Sequence, residues 1–169
     1  MAQKGVILIT CLLFLLILTL IGVVAFNMTS LTEKMSNNFK DNATAFQAAS
    51  SALTEGEVWL KAQVQKPVSV TTCTNPPCAV LKSATPLSLY LKPSSWWISQ
   101  GRPLTVPLPL SAAPAYFVIE ELSFVPNELS PDALSLGKGY YSYRITSHGV
   151  GNTPNANVTI ESIYGVQYN

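Results

Sequence analysis

"MAQKGVILITCLLFLLILTLIGVVAF", residues 1–26, holds a single charge at Lys4, then Gly5, then an uncharged apolar run from Val6 to Phe26. As a helix rising about 1.5 Å per residue, that run is long enough to cross a hydrocarbon core of roughly 30 Å. Three fates are open to it. A secretory signal needs a basic start, a short apolar region and a small-residue cleavage site; "VVA" before Phe26 supplies the last, but the apolar run is longer than such regions usually are. A plain anchor keeps the whole segment, with Lys4 and the amino terminus on the inner side. The third fate is a cut at Gly5 that keeps the apolar run.

The residues after Phe26 argue for a retained helix. From Asn27 to Gln65 there is no Pro and Gly56 is the lone Gly, so nothing stops the helix at the membrane surface. The apolar pattern turns one-sided there. Phe39, Phe46, Leu53 and Leu60 recur at heptad spacing, with Met35 and Ala49 on the neighbouring seam, and together they form a stripe suited to packing on a folded body. The expected element is one long helix, membrane-embedded over 6–26 and amphipathic over 27–65, ended by Pro67.

Past Pro67 helical periodicity gives way to β-branched and aromatic residues. "LSLYLKPSSWWIS" (87–99) and "PLTVPLPL" (103–110) read as short or edge strands, since Pro cannot donate to a central ladder. Stronger strands are expected at 115–125, 139–146 and 157–168. In the second of these Tyr141, Tyr143 and Ile145 alternate with Ser142, Arg144 and Thr146, as in a sheet with one buried face. "SHGVGNTPN" is short enough for a hairpin, with Ser147-His148-Gly149 read as turn, so an antiparallel meander is the economical topology. A helix with one apolar stripe and a sheet with one apolar face bury each other. The fold class is therefore α+β: a long N-terminal helix packed on an antiparallel β-sheet head at 66–169.

Composition excludes several functions. Only 11% of the 169 residues are charged and the net charge is +1, so there is no basic cluster to neutralise phosphates, and nucleic acid is not expected as a partner. The 3 cysteines and 1 histidine do not assemble a metal site or a nucleophile–base–orienter set, so no cofactor, metal or enzymatic activity is expected. Cys73 and Cys78 bracket "CTNPPC", where Pro76 and Pro77 hold the chain in a tight turn. Linked, they close a small loop and place the bulk of the chain outside the cytoplasm; unlinked, they are two ordinary thiols. Trp96 and Trp97 divide between a partner-binding patch and the core. Glu33, Lys34, Lys40, Asp41, Glu55 and Glu57 read as a solvated helix face, or as charges that register neighbouring subunits.

Three stretches carry a family resemblance: "QKGVILITCLLFLLILTLIGVVAF" at 3–26, "MTSLTEKMSNNFKDNATAFQAASSALTEGE" at 28–57 and, less specifically, "RITSHGVGNTPNANVTIESIYGVQY" at 144–168. They resemble the type IV pilins, and within that class the minor pilins of the PilX family from pseudomonad-type systems. The resemblance implies prepilin peptidase cleavage between Gly5 and Val6, N-methylation of Val6, and a helix that first anchors the subunit in the inner membrane and then enters the fibre. It implies a periplasmic head that later reaches the cell surface. Other minor pilins, the major pilin, an adhesin-like tip protein and the inner-membrane assembly platform would be partners. Most pilins carry Glu as the fifth mature residue; here that place is Thr10. A carboxylate in the membrane costs about 2.5–3.5 kcal/mol on insertion scales and is useful only where a positive partner waits, so Thr10 suits a subunit that primes assembly at or near the tip. Two other identities are compatible with parts of the pattern. One is a single-pass envelope protein with a partner-binding periplasmic head. The other is the tip pseudopilin of type II secretion, whose large metal-binding insertion this head is too small to hold.

Overall fold

The absence of Pro before Pro67 lets a single long helix form the first element. The structure, a computed structural model, describes residues 4–82, 89–106, 108, 109, 111–127 and 139–168. Helix α1 spans Lys4–Lys61. The chain divides into two units, Met1–Lys40 and Asp41–Asn169. In the first, the described residues are helix, and the side chains from Val6 on are exposed except Ser30, which is half-buried. In the second, the last turns of α1 pack on a sheet.

The helix ends at Lys61 and does not run on to Gln65. Pro67 disfavours helical backbone at Lys66, and in a helix its ring would clash with the carbonyl four residues back at Gln63, so the chain leaves the helix before Gln65. Gln63 helps: its side-chain amide donates to the Trp59 carbonyl at 3.1 Å, satisfying one of the acceptors that a helix end leaves open. Lys66 is then drawn to the sheet by an ion pair with Glu121 at 2.7 Å.

Among the described residues six strands form one sheet: β1 (Ser69–Val70), β2 (Val80–Lys82), β3 (Arg102–Pro103), β4 (Tyr116–Pro126), β5 (Gly139–Val150) and β6 (Asn157–Val166). The expected meander is present, β4 antiparallel to β5 and β5 to β6. The sheet as a whole is mixed, because β1 pairs parallel to β2 and β2 parallel to β4. One edge of β4 is shared, since β2 pairs at Glu120 and Glu121 while β3 pairs antiparallel at Tyr116 and Phe117. Strand β5 runs to Val150, so Ser147, His148 and Gly149 are strand residues and not a turn. The reversal falls at Gly151–Ala156, closed by the Gly151 N–H donating to the Ala156 carbonyl at 2.8 Å.

The two Pro-spaced stretches differ from expectation. Of 87–99, Leu89–Leu91 is a 3-10 turn and Ser94–Gln100 is helix α2; residues 87 and 88 lie outside the described residues. Of 103–110, only Pro103 is strand, and residues 107 and 110 lie outside the described residues. Pro93 fixes the entry to α2, with its carbonyl accepting the Trp96 N–H at 2.9 Å. A seven-residue helix has little stability by itself, so tertiary packing of Trp97, which is fully buried, holds it in place.

Alternation along the strands sorts the core into two layers. Phe117, Ile119, Tyr143 and Ile145 join Ala48, Ala52 and Leu60 of α1 on one face, while Tyr116 and Val118 join Leu89 and Trp97 on the other. Helix and sheet approach very closely on the α1 face. A Cβ built on Gly149 would collide with the backbone of Ala45 and Ala49, and one on Gly56 would sit 2.9 Å from Ile145 Cγ2. Gly165, on β6, has nothing within 4 Å of that position. Gly149→Ala is therefore expected to lower head stability by about 1–3 kcal/mol through overpacking. Gly165→Ala, meeting no atoms, should fall within about 0.5 kcal/mol of the parent in denaturant unfolding followed by tryptophan fluorescence.

Candidate assembly site

The feature with the clearest use is the apolar helix itself. Between Val6 and Phe26 every large aliphatic or aromatic side chain is exposed, from 49% at Ile17 to 77% at Phe26. The first charge beyond Gly5 is Glu33. α1 is the one helix among the described residues long and apolar enough to cross a membrane. Its hydroxyls add no open polar group. Thr10 Oγ1 donates within the helix to the carbonyls of Ile7 and Val6, at 2.9 and 3.2 Å, and Thr19 Oγ1 donates to Leu16 at 2.8 Å. A back-bonded hydroxyl enters lipid with its donor satisfied. The backbone of Gly5 and Val6 lies in the first turn of the helix, and Val6 is exposed.

Within the second unit the expected packing stripe is only partly buried: Ala49 and Leu60 are fully buried and Leu53 is half-buried, but Phe46 stays 53% exposed; Met35 and Phe39, in the first unit, are 65% and 76% exposed. The reason is rotational drift. A heptad spacing lags a straight α-helix by about 20° per repeat, so Phe46, Leu53 and Leu60 spiral from flank to core. The face that meets the sheet is instead the line Ala45, Ala48, Ala49, Ala52, Gly56 and Leu60. Small residues at i, i+3 and i+4 spacing are the readable signal for it.

Three charges that read as solvated fasten α1 to the head. Asp41 accepts the Thr153 N–H at 3.1 Å and the Thr153 hydroxyl at the β5–β6 reversal. Glu55 accepts the Thr105 hydroxyl at 2.6 Å and its N–H at 3.1 Å, and Glu57 accepts the Ser162 hydroxyl at 2.9 Å. From the sheet, Ser147 donates its hydroxyl to the Ala49 carbonyl at 2.8 Å. Cys73 and Cys78 are joined in a disulfide on the connection between β1 and β2, while Cys11 is free in the apolar helix. Trp97 is core and Trp96 is half-buried beside it, with the rings edge to face at 5.3 Å.

Comparison with known proteins agrees with the N-terminal reading. Residues 4–54 match a family model described as PilX N-terminal, which supports a PilX-family type IV pilus protein, a family of minor pilins. No curated protein and no solved structure matches the chain. The match covers most of α1, the element whose apolar surface is the candidate site. With that helix, it supports a membrane-anchored pilus protein.

The Asp41 fastening has a pH signature. The Thr153 hydroxyl holds the Asp41 carboxyl below its ordinary value of 3.8, partial burial opposes this, and the Thr153 and Asn152 N–H groups add to it. A depressed carboxyl contributes stability above its unfolded value, and that contribution is lost as pH falls through the folded one. Asp41→Asn should lower the thermal midpoint of the head at pH 7, with the gap from wild type closing below about pH 4. A gap of constant size across that range contradicts the assignment.

Proposed function

We propose that this chain, whose first helix matches the PilX family, is a minor pilin that helps prime type IV pilus assembly and sits at or near the pilus tip. Its partners are then other minor pilins, the major pilin and an adhesin-like tip protein. The observation that carries the reading is the uncharged helix from Val6 with Thr10 at the place where most pilins hold Glu. A first subunit has no earlier amino terminus to neutralise a buried carboxylate, and the back-bonded Thr10 hydroxyl lets it enter the bilayer without one.

The physical order of events rests on the exposed apolar surface. In the inner membrane, lipid covers Val6–Phe26; after extraction the same side chains are covered by neighbouring helices, and the periplasmic head is carried to the cell surface. Removal of residues 1–5 by prepilin peptidase frees the Val6 amino group, which is then methylated. We read the chain as a structural protein and not an enzyme. In support, its one histidine is spent in packing, stacked on Trp97 with ring centroids 5.2 Å apart.

Mass spectrometry of the mature chain from cells with and without prepilin peptidase tests this. Loss of Met1–Gly5 and one added methyl on Val6, only where the peptidase is present, is expected. An intact leader in both strains instead identifies a single-pass envelope protein. In a processed chain, Thr10→Glu should bring no gain in surface pili counted by electron microscopy. A gain would remove the tip assignment while leaving the pilin assignment standing.

A further inference from the structure

The outer face of the sheet, opposite α1, carries the chain's one histidine. Ser147 and Gly149 face α1, so His148 between them faces the opposite side, where its ring lies nearly parallel to Trp97 of α2, at 8°. Both side chains are buried, His148 4% and Trp97 0% exposed. His148 Nδ1 shares a hydrogen bond with Thr159 Oγ1 at 3.0 Å, while His148 Nε2, Trp97 Nε1 and Thr146 Oγ1 are buried without a partner. A neutral ring tolerates this arrangement. A protonated one would leave a charged N–H enclosed with nothing to accept it.

The layer over this histidine is slight. Among the described residues it consists of the 3-10 turn at Leu89–Leu91 and α2, which lacks a side-chain cap at Pro93 and is held by Leu89, Trp97 and the Tyr90 hydroxyl donating to Glu161 at 3.1 Å. The groups near His148 on this face are Tyr116 and Glu120 of β4, Arg144 of its own strand, Glu161 of β6 and Tyr90 of the turn; α2 has no titratable residue, and Lys92 just before it lies over Trp96. Glu120 and Glu161 are both engaged with Arg144, at 3.8 and 3.4 Å.

We propose that residues 89–100 form an acid-released cover, closed while His148 is neutral and opened when His148 takes a proton. Burial holds the His148 imidazole below its ordinary value near 6.5, so the proton is bound preferentially with the cover open. As pH falls below that value the open population rises by up to about tenfold per pH unit, until the closed form itself protonates. Opening uncovers Tyr116 and Val118 of the sheet; the α1 face is untouched.

Amide hydrogen exchange of the full-length protein in detergent, corrected for the intrinsic rate, reads the opening. The reporters are the Gly101 and Trp96 N–H groups, bonded to the Trp97 and Pro93 carbonyls at 2.8 and 2.9 Å. Their protection should fall up to about tenfold per unit between pH 6.5 and 5, with the β4–β5 ladder unchanged, and His148→Gln should abolish the dependence. Wild-type protection flat with pH, the same fall in His148→Gln (which would implicate Glu120 or Glu161), or a parallel loss in the ladder each overturns the proposal. Should His148→Gln fail to fold, wild type still decides, because its sole imidazole is unambiguous by NMR. That ring must titrate together with the loss of α2 protection. Titration at the ordinary value with α2 still protected overturns the proposal.

Discussion

The head depends on how near α1 comes to strand β5. Gly149 lies against the helix backbone at Ala45 and Ala49, and Ser147 reaches the Ala49 carbonyl, so the contact is backbone to backbone with almost no side chain between. Such proximity fixes the helix in both translation and rotation, because small residues leave no slack for adjustment. The rotation then decides which residues the head uses. Ala52, Gly56 and Leu60 are aimed at Phe117 and Ile145, Glu55 reaches Thr105, Glu57 reaches Ser162, and Phe46 is left pointing away.

That geometry explains which parts of the fold are legible in the residues alone. The long apolar helix, the meander and the α+β layout rest on patterns spanning many residues, and each is present. The stripe misleads because aromatic residues at heptad spacing outweigh the alanines beside them, whereas a helix lying on a sheet at short range selects for small size. Ser147-His148-Gly149 resembles a turn because Gly and Ser favour turns; here the glycine is required in a strand by the approach of α1. The Trp96–Trp97 segment resembles a strand because aromatic residues favour extended backbone. Its helix is imposed by packing on the sheet's second face, which no local signal describes. Asp41, Glu55 and Glu57 are indistinguishable from solvated charges until the loops that meet them are placed.

The charged side-chain contacts of α1 lie toward its margins, while its middle line makes apolar contacts and the bond from Ser147 to the Ala49 carbonyl. Asp41 closes the first turn of the head-borne part of the helix onto the β5–β6 reversal, while Glu55 and Glu57 hold later turns to Thr105 and to β6. Exposed bonds of this sort add little individually; they reinforce the rotation that the close seam at Gly149 already sets. The free flank at Phe46 is thereby presented in a defined direction.

The shared edge of β4 also governs how the fold tolerates change. β2 ends at Lys82 beside Glu121, and β3 begins at Arg102 beside Phe117. The chain between them, α2 included, thus leaves and rejoins the same strand within a few residues. Closing such an excursion costs little more when it is lengthened, since loop entropy grows only with the logarithm of length. The length of the segment is therefore loosely constrained, whereas its composition is tied to the sheet where Leu89 and Trp97 pack against Tyr116 and Val118.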